Sequence, residues 1–329
     1  MRKAIFMMAL FFCYGAMAQS TSEPKEKGQA KTKEKPKKRG DEPKYLVRNK
    51  YPFDVFHIYR MNEKTEVKRT FGDGTEKTYS RDVTYYFTLR SPDLPKEGFV
   101  RINILIDSIL YEFKSGDKIV RHNTQEDKMP PVDFPDYVYY FILISKQFDL
   151  TYSPYGDVAS VGGELLESLR YDYAKISDTA RRDYYLRRLS DFDLSYIVDM
   201  TKHVLPTVPM ETDTIWYSNF EIELEGLKFS GKGNNRLLQA NGQKAIIECQ
   251  TDTLRTNEKI KMLYDVNSEA TIDSAYAIAK YTLDVKGDGA MDYSKAVIDG
   301  FMKGRVGNQP FTQQIKRTVI WDLKERYKY

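Results

Sequence analysis

The pattern of this chain predicts an α+β fold, predominantly antiparallel β, with a central helical insert. Three observations carry that prediction. Runs of alternating apolar and polar residues dominate from Tyr45 to about Gly163 and again from Trp216 onward. Between them, apolar residues recur at helical spacing. The order is therefore strands, helices, strands, and not the alternation of strand and helix that builds a doubly wound parallel sheet. Meanders of this kind form a curved sheet or half-barrel. Short echoes between the halves (Ile106–Leu110 with Ile247–Leu254, Leu150–Ser153 with Met291–Ser294) leave a duplication open.

The elements follow in order. Val83–Leu89 (VTYYFTL) reads as a strand stopped by Ser91-Pro92-Asp93. In Phe99–Phe113, Val100, Ile102, Ile104 and Ile106 share one face, and Ile109, Tyr111 and Phe113 continue in the opposite phase. That switch predicts a bulge or sharp bend near Asp107-Ser108. Residues 137–145 (YVYYFILIS) fit a strand or a buried helix equally, although Pro135 suits a first helical turn. Phe148–Tyr152 and Val158–Val161 read as a hairpin. Leu165, Leu166, Leu169 and Tyr173 mark a first helix of the insert. Ser177 or Asp178 caps a second, and Ser190 or Asp191 caps a third. Pro206 and Pro209 forbid continuation. Strands resume at Phe220–Leu224, Lys244–Cys249, Lys259–Asp265, Ala275–Val285, Ala290–Tyr293, Ala296–Ile298, Met302–Val306 and Gln314–Leu323. The last of these places Arg317 on the same face as Ile315, Val319 and Trp321.

Residues 1–18 have the features of a secretory signal peptide: Arg2 and Lys3, an apolar run from Ala4 to Tyr14, and Ala16-Met17-Ala18 before Gln19. The run is well short of the roughly 20 residues a membrane span needs. Residues 19–44 are charged and carry no aliphatic side chain larger than alanine, so a disordered linker is expected there. The domain reading is then a β-rich half at 45–163, the insert at 164–205 and a C-terminal meander at 206–329. The formal net charge is +4, but residues 20–44 alone hold nine basic and five acidic residues. Residues 45–329 sum to about −2, which argues against binding a phosphate backbone. Once the signal is removed, Cys249 is the only cysteine. It cannot form an internal disulfide and reads as a small buried residue.

Four features in order resemble a known family. They are Phe148–Gly163 (FDLTYSPYGDVASVGG), the helical middle, the passage Leu205-Pro206-Thr207-Val208-Pro209 to Asp213-Thr214-Ile215-Trp216, and the meander Tyr281–Arg305. Together they resemble a domain family of unknown function found in exported and lipid-anchored proteins of Bacteroidota, over roughly residues 80–325. Members carry a glycine-aspartate-small-tryptophan step. Here it is Thr212-Asp213-Thr214-Ile215-Trp216, without the glycine and with one residue added. The resemblance implies a β-rich, half-barrel-like fold, similar in general form to envelope lipoprotein carriers, and assigns no site residue.

Chemistry is hard to find in the pattern. His57, His122 and His203 are not spaced as metal ligands, and no nucleophile elbow or phosphate loop appears. Asp265–Glu269 starts like a calcium loop but lacks the glycine at the sixth position. The reading therefore names no catalytic residue, no metal ligand and no cofactor. The compositional excess is aromatic, with 25 Tyr and 17 Phe. Tyr137, Tyr139, Tyr140, Tyr173, Tyr184 and Tyr185 are the candidate ligand-binding residues, since tyrosine joins an apolar body to a polar tip. The expected function is a non-enzymatic, exported protein of the periplasm or cell surface. It would hold an apolar ligand, a glycan or an envelope partner in a tyrosine-lined concavity free of convergent ionisable groups. A structural or assembly role and a hydrolase are the alternatives. The partner is an unknown lipid, glycan or protein, with no nucleic acid and no membrane span after signal cleavage.

Overall fold

The computed structural model describes residues 43–127, 135–153, 157–198, 204–256, 261–265 and 268–328. The signal segment, nearly all of the linker, and His203 lie outside these residues. In the N-terminal half, β1 (Val55–Phe71), β2 (Glu76–Arg90), β3 (Val100–Ser115) and β4 (Lys118–Asn123) form a meander. The helix α1 (Pro135–Phe141) follows, then β5 (Gln147–Tyr152) beside β3 and β6 (Val158–Gly162) beside β5. Helix thus prevails at the start of the ambiguous 137–145 run. The helices α2 (Glu164–Ala174), α3 (Thr179–Arg188) and α4 (Asp191–Val198) make the insert. The C-terminal half holds β7 (Ile215–Leu224), β8 (Leu227–Ala240), β9 (Lys244–Thr251), β10 (Leu254–Arg255), β11 (Lys261–Asp265), β12 (Ser268–Lys286), β13 (Met291–Val306) and β14 (Gln309–Lys328).

Among the described residues fourteen strands form one antiparallel sheet: eleven follow the order β10-β8-β9-β12-β13-β14-β1-β2-β3-β5-β6, and β7 pairs with β8, β11 with β12 and β4 with β3. β14 pairs with β1 along almost the whole of both strands, so the two halves share a single surface. The expected bulge is present: Tyr86 faces Ser108 and Phe87 faces Ile106, so Asp107 is the extra residue. Several strands differ from expectation: β1 and β4 were not foreseen, and β2 and β12 each begin seven residues earlier than the sequence suggested. β13 runs unbroken from Met291 to Val306 where the sequence suggested three pieces, and β8 was not foreseen. Both are rich in glycine and small or polar residues, which weakens the alternation signal while the flanking ladders hold the backbone extended.

The sheet is strongly curled. β7 lies seven ladder steps from β2, a separation of roughly 34 Å on a flat sheet at about 4.8 Å per step. Yet the turn after β7 touches β2: the Tyr79 hydroxyl donates to Glu225 Oε2 at 3.0 Å. Small residues make room for this fold-back. Ala277, Ala279 and Ala296 are fully buried, and a Cβ on Gly300 would sit 2.3 Å from Leu224 Cδ2. Phe220 packs against Tyr281 of β12 with ring centroids 5.4 Å apart.

The helices roof the concave face. Ser190 caps α4 by accepting from the Asp193 amide, and Asp178 does the same for the Arg181 amide of α3. Fully buried Trp321 of β14 donates its indole N–H to the Ile197 carbonyl at 3.0 Å, which ties α4 to the sheet. Cys249 is buried, as expected, and burial pushes its thiol up to about 12. None of the described helices is long and apolar enough to cross a membrane; that says nothing of crossing by strands.

Candidate functional site: a helix-roofed charged cavity

A cavity of about 330 Å³ lies between the inner face of the sheet, the turn after β7, and helices α1, α3 and α4. Its size is at the lower end of the range for small-molecule pockets. Alternation along the strands places its charged floor. In β1, Glu63 falls between Met61 and Thr65 on the inward face. In β2, Arg81 shares the inward face with Val83 and Tyr85, and in β14 Arg317 shares it with Val319 and Trp321.

The turn joining β7 to β8 supplies the next pieces. Leu224 pairs with Leu227, leaving Glu225 and Gly226 as a two-residue hairpin loop. Both have positive φ, 49° and 84°, the conformation that a primed hairpin turn requires. A glutamate is unusual there, and its side chain explains its retention. Glu225 accepts from Tyr79, lies 3.3 Å from Arg81 Nη1 and 3.6 Å from Arg317 Nη2. Burial alone would raise this carboxyl; Arg81 and Arg317 overcome it and hold the group below its usual range. Arg317 also lies 3.7 Å from Glu63 and donates to the Glu223 carbonyl at 3.0 Å.

The helices complete the site. Arg188, at the end of α3, donates to the Tyr85 hydroxyl at 2.6 Å and lies 3.8 Å from Asp193 of α4. Asp193 Oδ2 accepts from Tyr139 at 2.7 Å. Glu223 lies beyond them, with its side chain only 9% exposed and Oε1 3.9 Å from Arg187 Nε. Its Oε2 is buried and has no hydrogen-bond partner. Burial, with Asp193 nearby, raises the Glu223 carboxyl to about 8 despite Arg187, Arg317 and Lys228. At neutral pH this group is therefore mostly protonated and can donate a hydrogen bond.

The tyrosines named from sequence divide three ways. Tyr139, Tyr140, Tyr184 and Tyr185 line the cavity, and the Tyr139 and Tyr184 rings stack at 4.7 Å. Tyr173 packs edge-on against Tyr185 (centroids 5.5 Å apart) and is not part of the lining. The side chain of Tyr137 lies outside the described residues. One expectation is overturned. The concavity is not free of convergent ionisable groups: four carboxyls and seven cationic side chains line it. The sequence reading missed these because they are scattered over β1, β2, α3, α4, the β7–β8 hairpin and β14, and the fold-back of that hairpin helps bring them together. Among the described residues no cluster of His, Cys, Asp and Glu could hold a metal ion.

No family model matches the chain, and no curated protein matches it. Solved structures show some likeness. Lipovitellin, from a study of its lipid–protein interactions, is 6% identical with a TM-score of 0.44. The alignment covers 85% of this chain and 26% of that one, so this chain spans about a quarter of lipovitellin's length. An outer-membrane channel from Pseudomonas putida F1 is 6% identical with a TM-score of 0.24, covering 83% of this chain and 97% of the channel. A porin of Rh. blastica is 8% identical with a TM-score of 0.20, covering 80% and 99%. All three are weak likenesses.

Proposed function

We propose that this is an exported cell-envelope protein that binds a small polar ligand in the helix-roofed cavity, without turning it over. One observation carries the reading. Residues that line the cavity carry buried polar atoms left without a hydrogen-bond partner, Glu223 Oε2 and Arg188 Nε among them. Groups of this kind, removed from water, are costly unless a ligand or ordered water meets them. The tyrosine faces supply the apolar contact that sugars and other ring-bearing ligands use. Export rests on the signal-like segment at residues 1–18, and kinship with the exported Bacteroidota family rests on the motifs at 148–216 and 281–305.

A second reading has one observation in its favour. Glu223, with its raised pKa, and Asp193, held by Tyr139 and Arg188, present a proton donor near a carboxylate, the pairing that acid–base hydrolysis uses. Native mass spectrometry of protein purified from its own envelope separates the readings. A co-purifying small molecule that is returned unchanged after incubation supports binding. A ligand that is converted to a smaller product establishes the hydrolase, and a clean mass with a stoichiometric protein partner supports an assembly role.

A further inference from the structure

We infer that the ligand is a small organic anion whose carboxylate or phosphate docks on the Arg187 guanidinium beside the Glu223 carboxyl; this rests on the binding reading above. The charge inventory comes first. Seven cationic side chains line the cavity against four carboxyls. Each of the four carboxyls has an arginine within 4 Å: Glu63 has Arg317, Glu225 has Arg81 and Arg317, Asp193 has Arg188, and Glu223 has Arg187. Glu223 is the fourth. It stands 3.9 Å from Arg187, and its inner oxygen meets no donor or acceptor of the protein.

The seat for Arg187 is built into the backbone. A Cβ at Gly226 would lie 2.0 Å from Arg187 Nη1, so the guanidinium rests where any other residue would place its side chain. Gly226 also holds a φ of 84°, which L side chains rarely adopt. The hairpin turn therefore fixes a guanidinium at the cavity wall. Guanidinium groups bind carboxylate and phosphate through paired N–H donors. Glu223 assists and does not repel an anion. It carries a proton at neutral pH, its titration set by burial, Asp193 of α4, Arg187 of α3, Arg317 of β14 and Lys228 of β8. A carboxylic acid beside a guanidinium offers an anion one O–H donor and a full positive charge. The stacked Tyr139 and Tyr184 rings line the same cavity and offer a flat face to the body of the ligand.

The test is calorimetric titration of the full chain, cleared of bound material, with glucuronate, glucose 6-phosphate and neutral glucose. At least one anion should bind about tenfold or more tightly than glucose, in keeping with a charge-assisted pair. Preference for glucuronate names a carboxylate; preference for glucose 6-phosphate names a phosphate. Arg187→Gln should abolish the preference, while Arg182→Gln, on the same helix but outside the cavity lining, should keep it. Glu223→Gln, which retains a donor, should bind as wild type near neutral pH. At about pH 9, where wild type has lost most of its proton, it should bind about tenfold better than wild type. Anions that bind no better than glucose, or a preference that survives Arg187→Gln, overturn the inference. A neutral molecule found in the cavity by native mass spectrometry also overturns it while leaving the binding reading intact. An empty cavity overturns the binding reading itself.

Discussion

At the scale of single residues, two buried groups set how the protein responds to pH, in opposite directions. Glu223 has its folded-state pKa raised from 4.5 to about 8, so the folded protein holds a proton that the unfolded chain releases. The stability this gives is full at low pH and is lost as pH rises through about 8. Glu223→Gln should remove that loss, so urea unfolding at about pH 9 should show the variant more stable than wild type, with the two converging near pH 5. His57 behaves conversely. It is buried in β1 between Tyr51 and Tyr59, and burial, with Arg326 nearby and opposed by the Val55 backbone and Asp288, lowers its pKa from 6.5 to about 4. The unfolded chain takes up that proton first, so stability is present above pH 6.5 and is lost as pH falls toward 4. Replacing it, His57→Phe, should flatten thermal stability across that interval, and an unchanged slope would mean that other groups cause the acid sensitivity. In the sequence His57 lies in an aromatic run with Phe53, Phe56 and Tyr59, and the structure gives that run its consequence. Glu223 could not be found this way. In β7 it lies on the opposite face from buried Phe220, Ile222 and Leu224, where alternation predicts exposure.

At the scale of elements, the β7–β8 hairpin decides the architecture of the site. Its turn needs positive φ at Glu225 and Gly226, and its body needs the bare surface that Ala277, Ala279, Ala296 and Gly300 leave on β12 and β13. Gly300→Ala should cost roughly 1–3 kcal/mol in chemical denaturation, because Leu224 occupies the space that the new Cβ would take. Leu224→Ala alone should cost about 2–5 kcal/mol, and the double variant should cost less than the two together. Full additivity would show that the hairpin does not rest on β13. Trp321→Phe tests the roof in the same way. Losing the hydrogen bond to Ile197 leaves a buried carbonyl unpaired, worth about 1–3 kcal/mol. Turn chemistry was only partly legible. Glu-Gly is not among the usual primed-turn pairs, so neither this hairpin nor β8 stood out from sequence, whereas the β3 bulge and the caps of α3 and α4 did.

At the scale of the whole molecule, the sequence revealed a β-rich chain with a helical insert because alternation and helical spacing are local signals. It did not reveal that one sheet runs through both halves, since the β1–β14 ladder joins residues about as far apart in the chain as the strands allow. The same limit hid the site. Arg81, Arg188, Glu223 and Arg317 come from four elements, and nothing in their spacing announces that a curled sheet will gather them. Each tyrosine cluster was legible because it is local, one on α1 and one on α2 and α3; that the two meet and border charged groups is not. The account as a whole rests on this cavity being occupied by a ligand when the protein is in its native cell. The most direct measurement is a crystal structure of protein purified from that cell without denaturation. Density for a small molecule in contact with Arg187, Glu223 and the Tyr139 ring is the expected result. A cavity collapsed onto its own side chains, or a ligand bound only elsewhere on the sheet, would contradict it.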